Sequence, residues 1–363
     1  MKLYSLTNIF NFSGINLLII FAAFLGQEKF AADLAIIIGG SFFFTQIFSS
    51  NSRNILIIKF TQKTYIEKLF LRVKLSLAIF FLINIFNYFY FSEFLFISFL
   101  VSLLIILQWI NELYLLKVYQ DKKILKIKFY FFFNIFFYFN LFTLFLFGKI
   151  SSLNLYIFLF VLFNIFYLWI GIIEGKYYKL YRTLSTYKIF LNDIYNFSFY
   201  SSSSMVFTNF ASRIIILEYL SKDLSGILFA CLAIGSIPGS VFNNSFGPYL
   251  IKNKINILLK NYFYLFLLLF LSSIYVFYSE NFLLKYFLKE DTFKYYTLYY
   301  SYLGSFIMLS ALYIRQVLLF KNKFKLQRIF FLDILNSLAY LFIVLSICFL
   351  NIKIMFSLLF FIF

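Results

Sequence analysis

Histidine is absent from all 363 residues, which removes the commonest metal ligand and the usual proton shuttle. The only cysteines, Cys231 and Cys348, sit in apolar runs, so neither a disulfide framework nor a metal cluster is expected. With 2 Pro and 12 Gly, helices should be mostly unbroken and loops short. Acids are scarce, 14 against 32 Lys and Arg. No loop is long enough to hold a folded enzyme domain; the longest outer one runs over 279–294. What fills the chain instead is apolar side chains, 63% of residues, with 25% aromatic. A soluble domain is about half apolar. Apolar runs of about 20 residues recur along the chain, the length that crosses a bilayer as a helix. The 59 Phe, beside many Ile, Asn, Lys and Tyr, follow an A/T-rich codon bias and carry little functional weight.

The fold class is therefore all-α integral membrane. Twelve spans are expected, over 5–26, 33–50, 73–91, 94–116, 127–147, 153–174, 194–217, 225–250, 259–279, 296–319, 329–349 and 352–363. The last is short or truncated. A net charge of +18 would suggest nucleic acid in a soluble chain, but here the positives sort by side. Arg53, Lys59, Lys63, Lys68, Arg72 and Lys74 fall between spans 2 and 3; Lys117 to Lys128, Lys176 to Lys188, Lys252 to Lys260 and Lys321 to Arg328 fill the later even-numbered loops. The odd-numbered loops hold far fewer, among them Lys29, Lys222 and Lys294. The positive-inside rule then places the N-terminus and the even loops in the cytoplasm, and no nucleic-acid partner is expected.

Six spans precede the basic linker and six follow it, which gives an N-terminal lobe over 1–175, a cytoplasmic linker over 176–193 and a C-terminal lobe over 194–363. An even number of spans per half makes the repeat parallel, related by an axis along the membrane normal around a central cavity. "FLGQEKFAADLAIIIGGS" at 24–41 lies over "YLSKDLSGILFACLAIGS" at 219–236, each a helix end, a polar turn with an acid, and a helix with an internal Gly-Ser. Span 2 carries Gly39 and Gly40, and span 8 carries Pro238 and Gly239. Weak points at matching places in two halves mark hinges beside a transport site, or, equally, tight helix packing through small residues.

Polar residues inside spans normally face a cavity or a partner. In span 7, Ser198, Ser202, Asn209 and Arg213 share one helical face. Arg213 lies roughly 10 Å from the outer end at helical rise. It either lines a cavity and binds phosphate through its fork, or snorkels to the outer interface. Gln46 and Arg53 share a face of span 2 with Gly39; Arg315 ends a face of span 10 with Ser301, Gly304, Met308 and Ala311; Asn243 and Asn244 sit in span 8. Arg53 and Arg315, near the cytoplasmic end, read first as interface anchors and second as substrate contacts. Asp333, with Asn336 in span 11, either pairs with a cation across helices or carries a coupling proton or Na⁺. The substrate-binding candidates are thus Arg213, Asn209, Ser202, Arg53, Gln46, Arg315 and Asn244. No catalytic residue, metal site or cofactor is expected.

Two stretches carry a family resemblance. "FLGQEKFAADLAI" resembles the end of the first helix in the Wzx-type polysaccharide (O-antigen) flippases, which belong to the multidrug/oligosaccharidyl-lipid/polysaccharide exporter superfamily. "ASRIIILEYLSKDLSGILFACLAIGSIPGSVFNNSFGPYLI" resembles the start of that family's second lobe, with Arg213, Gly226, Gly247-Pro248 and Leu250 in the matching places, and "SSNSRNILI" resembles its end of helix 2. Ser212 stands where the family often has Asp. The resemblance implies a non-enzymatic transporter in the bacterial inner membrane. Its two lobes rock so that a polyprenyl-pyrophosphate-linked oligosaccharide, an O-antigen or capsule repeat unit, passes from the cytoplasmic to the periplasmic leaflet. Membrane lipids and a polysaccharide polymerase are the implied partners. Two alternatives remain: a membrane polymerase or ligase of the same pathway, and a small-molecule exporter on the same fold. The former typically has a large periplasmic loop and the latter typically has membrane-embedded acids; this chain is poor in both.

Overall fold

The structure is a computed structural model and describes residues 4, 6–7, 10–11, 14–49, 62–90, 95–148, 152–175, 197–242, 255–280, 292–320 and 326–349. Among these, eleven α-helices form and no strand does: α1 Asn16–Phe24, α2 Glu28–Ile47, α3 Gln62–Tyr90, α4 Leu95–Gln120, α5 Ile124–Leu146, α6 Leu153–Gly175, α7 Phe197–Tyr219, α8 Lys222–Val241, α9 Ile255–Tyr278, α10 Thr292–Phe320 and α11 Leu326–Phe349. Spans 1 to 11 of the sequence reading each meet one helix. The twelfth, 352–363, the linker over 176–193 and the "GPYL" at 247–250 lie outside the described residues.

The turns follow from local chemistry. Gly26 adopts φ +88° after α1, and the Gln27 N–H reaches back to the Ala22 carbonyl at 2.8 Å, which closes the helix end and sends the chain into α2. The same closure ends α4, where the Lys123 N–H meets the Val118 carbonyl at 3.0 Å, but there Lys122 holds the left-handed position at φ 56°. Ser221 caps α8, its hydroxyl accepting from the Leu224 N–H, and Asp223 in the first turn complements the helix dipole.

Among the described residues, seven helices are long and apolar enough to cross a membrane: α2, α3, α4, α5, α6, α8 and α10. Twelve do not emerge, for identifiable reasons. The described part of α1 has 9 residues, the apolar cores of α9 and α11 are Tyr262–Tyr278 and Phe331–Ser346, and α7 is diluted by its serine run and by Asn209 and Arg213. The distribution of side chains inverts that of a water-soluble protein. Phe89, Phe132, Phe139, Leu155 and Trp169 are well exposed, whereas Asn11, Asn111, Asn134 and Asn164 are fully buried. Such surfaces suit hydrocarbon as solvent, and such interiors keep polar groups away from it. The chain is an all-α membrane protein.

The residues pack as two compact units, Met1–Gly14 with Ile37–Phe207, and Ile15–Ile36 with Thr208–Phe363. In the first, α4 is the central helix, packed against α3, α5 and α6. Its core includes Tyr65, Leu69, Ile83, Trp109, Leu113, Leu116 and Tyr130. Aromatic rings zip α5 to α6: Phe137 stacks on Phe160 at 3.7 Å and Tyr130 lies 4.5 Å from Tyr167, each such pair worth about 0.5–1.5 kcal/mol beyond burial.

In the second unit α8 is central, packed on α10 and α1. Small residues allow the close approach. Gly235 faces the Ser301 carbonyl of α10, where a Cβ would stand at 2.9 Å, and the Ser305 hydroxyl donates to the Gly235 carbonyl at 2.7 Å. Gly239 packs under Met308. At the other end Gly226 lies so close to the Glu28 carbonyl that a Cβ there would collide with it.

Candidate functional site

The spacing on α7 puts Ser202, Asn209 and Arg213 on one face, and the structure differentiates them. Ser202 is half-buried, Asn209 is exposed and Arg213 is half-buried; the Ser198 side chain lies outside the described residues. The Arg213 guanidinium turns onto α2, where Nη1 donates to the Ala35 carbonyl at 2.7 Å. Ala35 is seven residues into α2, so the charge sits roughly 10 Å along that helix from its start. Tyr340 of α11 and Ser212 lie beside Arg213. Ser212 is buried and donates to the Asn209 carbonyl at 3.0 Å.

Two other helix arginines, Arg315 and Arg72, have carboxylate partners. Arg315 on α10 meets Asp333 on α11 in a fork, Nε to Oδ1 at 3.1 Å and Nη2 to Oδ2 at 2.9 Å. Two residues singled out separately, one for substrate and one for coupling, are thus joined to each other. Arg72 on α3 meets Glu112 on α4 at 2.7 Å. It also donates to the Trp109 carbonyl and lies over the Trp109 ring at 4.9 Å, while the Trp109 indole donates to the Ser49 hydroxyl at 2.6 Å. This ties α2, α3 and α4 together. Among the described residues, Arg213 has no carboxylate partner. One carbonyl bond leaves most of its five N–H donors, and its whole charge, available to an anion.

Gln46 is half-buried on α2. Gly39 and Gly40 are buried, and α2 runs through them as continuous helix. Directly beyond them Ser41 and Thr45 turn their hydroxyls back to carbonyls of their own helix, at 2.8 and 2.9 Å, a pattern that favours bending, and Ser49, in the turn after α2, donates to the Thr45 carbonyl at 3.0 Å. Likewise α8 runs through Pro238 and Gly239 without a break. Ser301 and Gly304, expected on one face with Arg315, are buried, with Ser301 against Gly235 of α8. Arg53, Asn243 and Asn244 lie outside the described residues.

Sequence reasoning missed three features. By sequence Arg72 falls in the cytoplasmic loop between spans 2 and 3, but α3 begins at Gln62, so it is a helix residue, 2% exposed. The signal was Glu112, a lone acid within the apolar run of α4. Two further ion pairs gather the starts of three helices: Lys294 of α10 with Glu28 of α2 at 2.5 Å, and Lys222 of α8 with Asp33 of α2 at 3.0 Å. Finally, a buried cluster of neutral amides and phenols occupies α4, α5 and α6.

No family model, no curated protein and no solved structure matches this chain.

Proposed function

We propose that this chain is a transporter that moves a polyprenyl-pyrophosphate-linked oligosaccharide from the cytoplasmic to the periplasmic leaflet of a bacterial inner membrane. The observation that carries it is Arg213, a fixed cation set within helical packing and without a carboxylate partner among the described residues. A charge in the membrane interior is costly, and an unneutralised one is kept for a purpose. A pyrophosphate is the natural counter-ion for a guanidinium fork. The lipid tail can stay in the bilayer, so the protein need carry only the polar headgroup across about 30 Å of hydrocarbon. The resemblance of the Arg213 region and of "FLGQEKFAADLAI" to the Wzx-type flippases points the same way.

In this reading twelve spans form two six-helix lobes, with the N-terminus cytoplasmic. Ser202, Asn209 and Gln46 offer hydrogen bonds to the headgroup, and Gly39-Gly40 and Pro238-Gly239 are the places where helices bend. The Glu28–Lys294 and Asp33–Lys222 pairs lie at the periplasmic end and hold α2 to α8 and α10 until release. Asp333 is occupied by Arg315, so the pair links α10 to α11. Deleting the gene should leave lipid-linked glycan on the cytoplasmic face and abolish surface polysaccharide. Normal surface polysaccharide in the deletion strain would refute the assignment.

A further inference from the structure

Seven neutral polar side chains meet inside the first unit: Asn11 before α1, Gln108 and Asn111 on α4, Tyr130, Asn134 and Tyr138 on α5, and Asn164 on α6, all at most 3% exposed. Part of the cluster is bonded internally. The Asn11 amide donates to the Gln108 carbonyl at 3.0 Å, Tyr130 donates to Asn11 Oδ1 at 2.7 Å or Asn164 Oδ1 at 2.9 Å, and the Asn111 amide donates to Asn164 Oδ1 at 3.0 Å. The amide orientations are pinned, because Asn164 also donates to the Phe160 carbonyl and Asn134 to the Tyr130 carbonyl.

What remains is a set of buried atoms with no protein partner: Gln108 Nε2 and Oε1, Asn111 Oδ1, Asn134 Oδ1 and the Tyr138 hydroxyl. They belong together. Gln108 stands beside Tyr138, near enough to act on its hydroxyl but outside hydrogen-bond geometry, and Tyr130 faces Asn111 and Asn134. A buried polar atom without a partner is strongly destabilising, and five in one place would cancel much of the net stability of an ordinary domain. The set mixes donors and acceptors. A bare cation would satisfy the three amide oxygens and repel the Gln108 amide hydrogens. An anion would satisfy the donors and strand those oxygens. Water both donates and accepts, so it can serve all five atoms.

We infer that this cluster is a bound-water site in the membrane-embedded core of the first unit, bridging α4, α5 and α6. Water bridges exchange partners at little cost, so the three helices can shift against one another without stranding a polar group.

Radiolytic hydroxyl footprinting of the full-length protein in lipid nanodiscs tests this, because buried tyrosines are oxidised promptly only where bound water lies beside them. Tyr138 should be labelled several-fold faster than Tyr295, which is equally buried but whose hydroxyl is bonded to the Val276 carbonyl. Equal, slow labelling of both would overturn the inference. Gln108→Leu supplies a second arm. If the site is wet, the substitution expels water that also serves Asn134 and Tyr138, so it lowers the melting temperature by several degrees and slows Tyr138 labelling. If the site is dry, it removes two unpaired atoms and raises the melting temperature, against the inference. A melting temperature that responds to Na⁺ or K⁺ over choline at fixed ionic strength would identify a cation instead and would equally overturn it.

Discussion

Neutralising Glu112 should unsettle the first unit more than almost any other single-atom change. Arg72 and Glu112 are 2% and 6% exposed and stand 2.7 Å apart. Glu112→Gln keeps the shape and removes the carboxylate charge that Arg72 meets at 2.7 Å. Breaking a buried pair costs about 3–5 kcal/mol. Arg72 keeps its bond to the Trp109 carbonyl and its place over the indole ring, a contact worth about 0.5–2 kcal/mol, so the lower end, about 3 kcal/mol, is expected. Arg72→Met strands the carboxylate instead and should cost at least as much. Removing both charges with the same two substitutions, Arg72→Met with Glu112→Gln, should cost only about 1 kcal/mol, for a buried neutral amide, because no charge then needs compensation. The double-mutant cycle therefore closes with a coupling of about 5 kcal/mol or more. Trp109, one of two tryptophans, sits inside the cluster, so its fluorescence follows unfolding in detergent at the site itself. A double variant as unstable as the sum of the two singles would refute this, and so would a Glu112→Gln protein of unchanged stability.

Gly226→Ala should destabilise the second unit by about 1–3 kcal/mol, because the new methyl overlaps the Glu28 carbonyl and α8 must back away from α2; thermal unfolding checks it, and Gly226→Val should be worse. Lys122→Gly should stabilise the protein by up to about 1 kcal/mol, since it relieves a left-handed backbone at the end of α4; an unchanged or lower melting temperature contradicts this. Asp333→Asn should cost about 1–3 kcal/mol, moderated by the 25% exposure of Arg315, and its effect should appear in stability rather than in substrate affinity.

The helices were readable because lipid imposes a strong demand on sequence: twenty apolar residues between basic flanks. Span 127–147 becomes Ile124–Leu146 and span 153–174 becomes Leu153–Gly175, with Lys126 and Gly148 as punctuation. The start of α3 was not readable, because Lys63, Lys68 and Lys74 look like loop charges and the residue that buries Arg72 lies 40 positions away. The location of Arg213 on its helix was evident from spacing; the carbonyl it docks on, 178 residues distant, was not. Arg315 and Asp333 each stood out as polar residues in apolar runs, but periodicity cannot say that two helices pair them. Nor can it distinguish a glycine that bends a helix from one, like Gly235, that lets a neighbour approach.

Flipping by the purified protein in sealed vesicles, with a fluorescent polyprenyl-pyrophosphate oligosaccharide in one leaflet, is the decisive measurement. Wild-type protein should move the label to the other leaflet. Arg213→Ala, which removes one or more charge-assisted bonds of about 1.5–3 kcal/mol, should slow transfer about ten- to a hundredfold at subsaturating substrate. Arg213→Lys should retain part of the rate, and Arg315→Ala should retain most of it in whatever fraction stays folded. Transfer at the wild-type rate by both Arg213 variants, or no transfer by the wild-type protein, would contradict the role assigned to this arginine and to the chain.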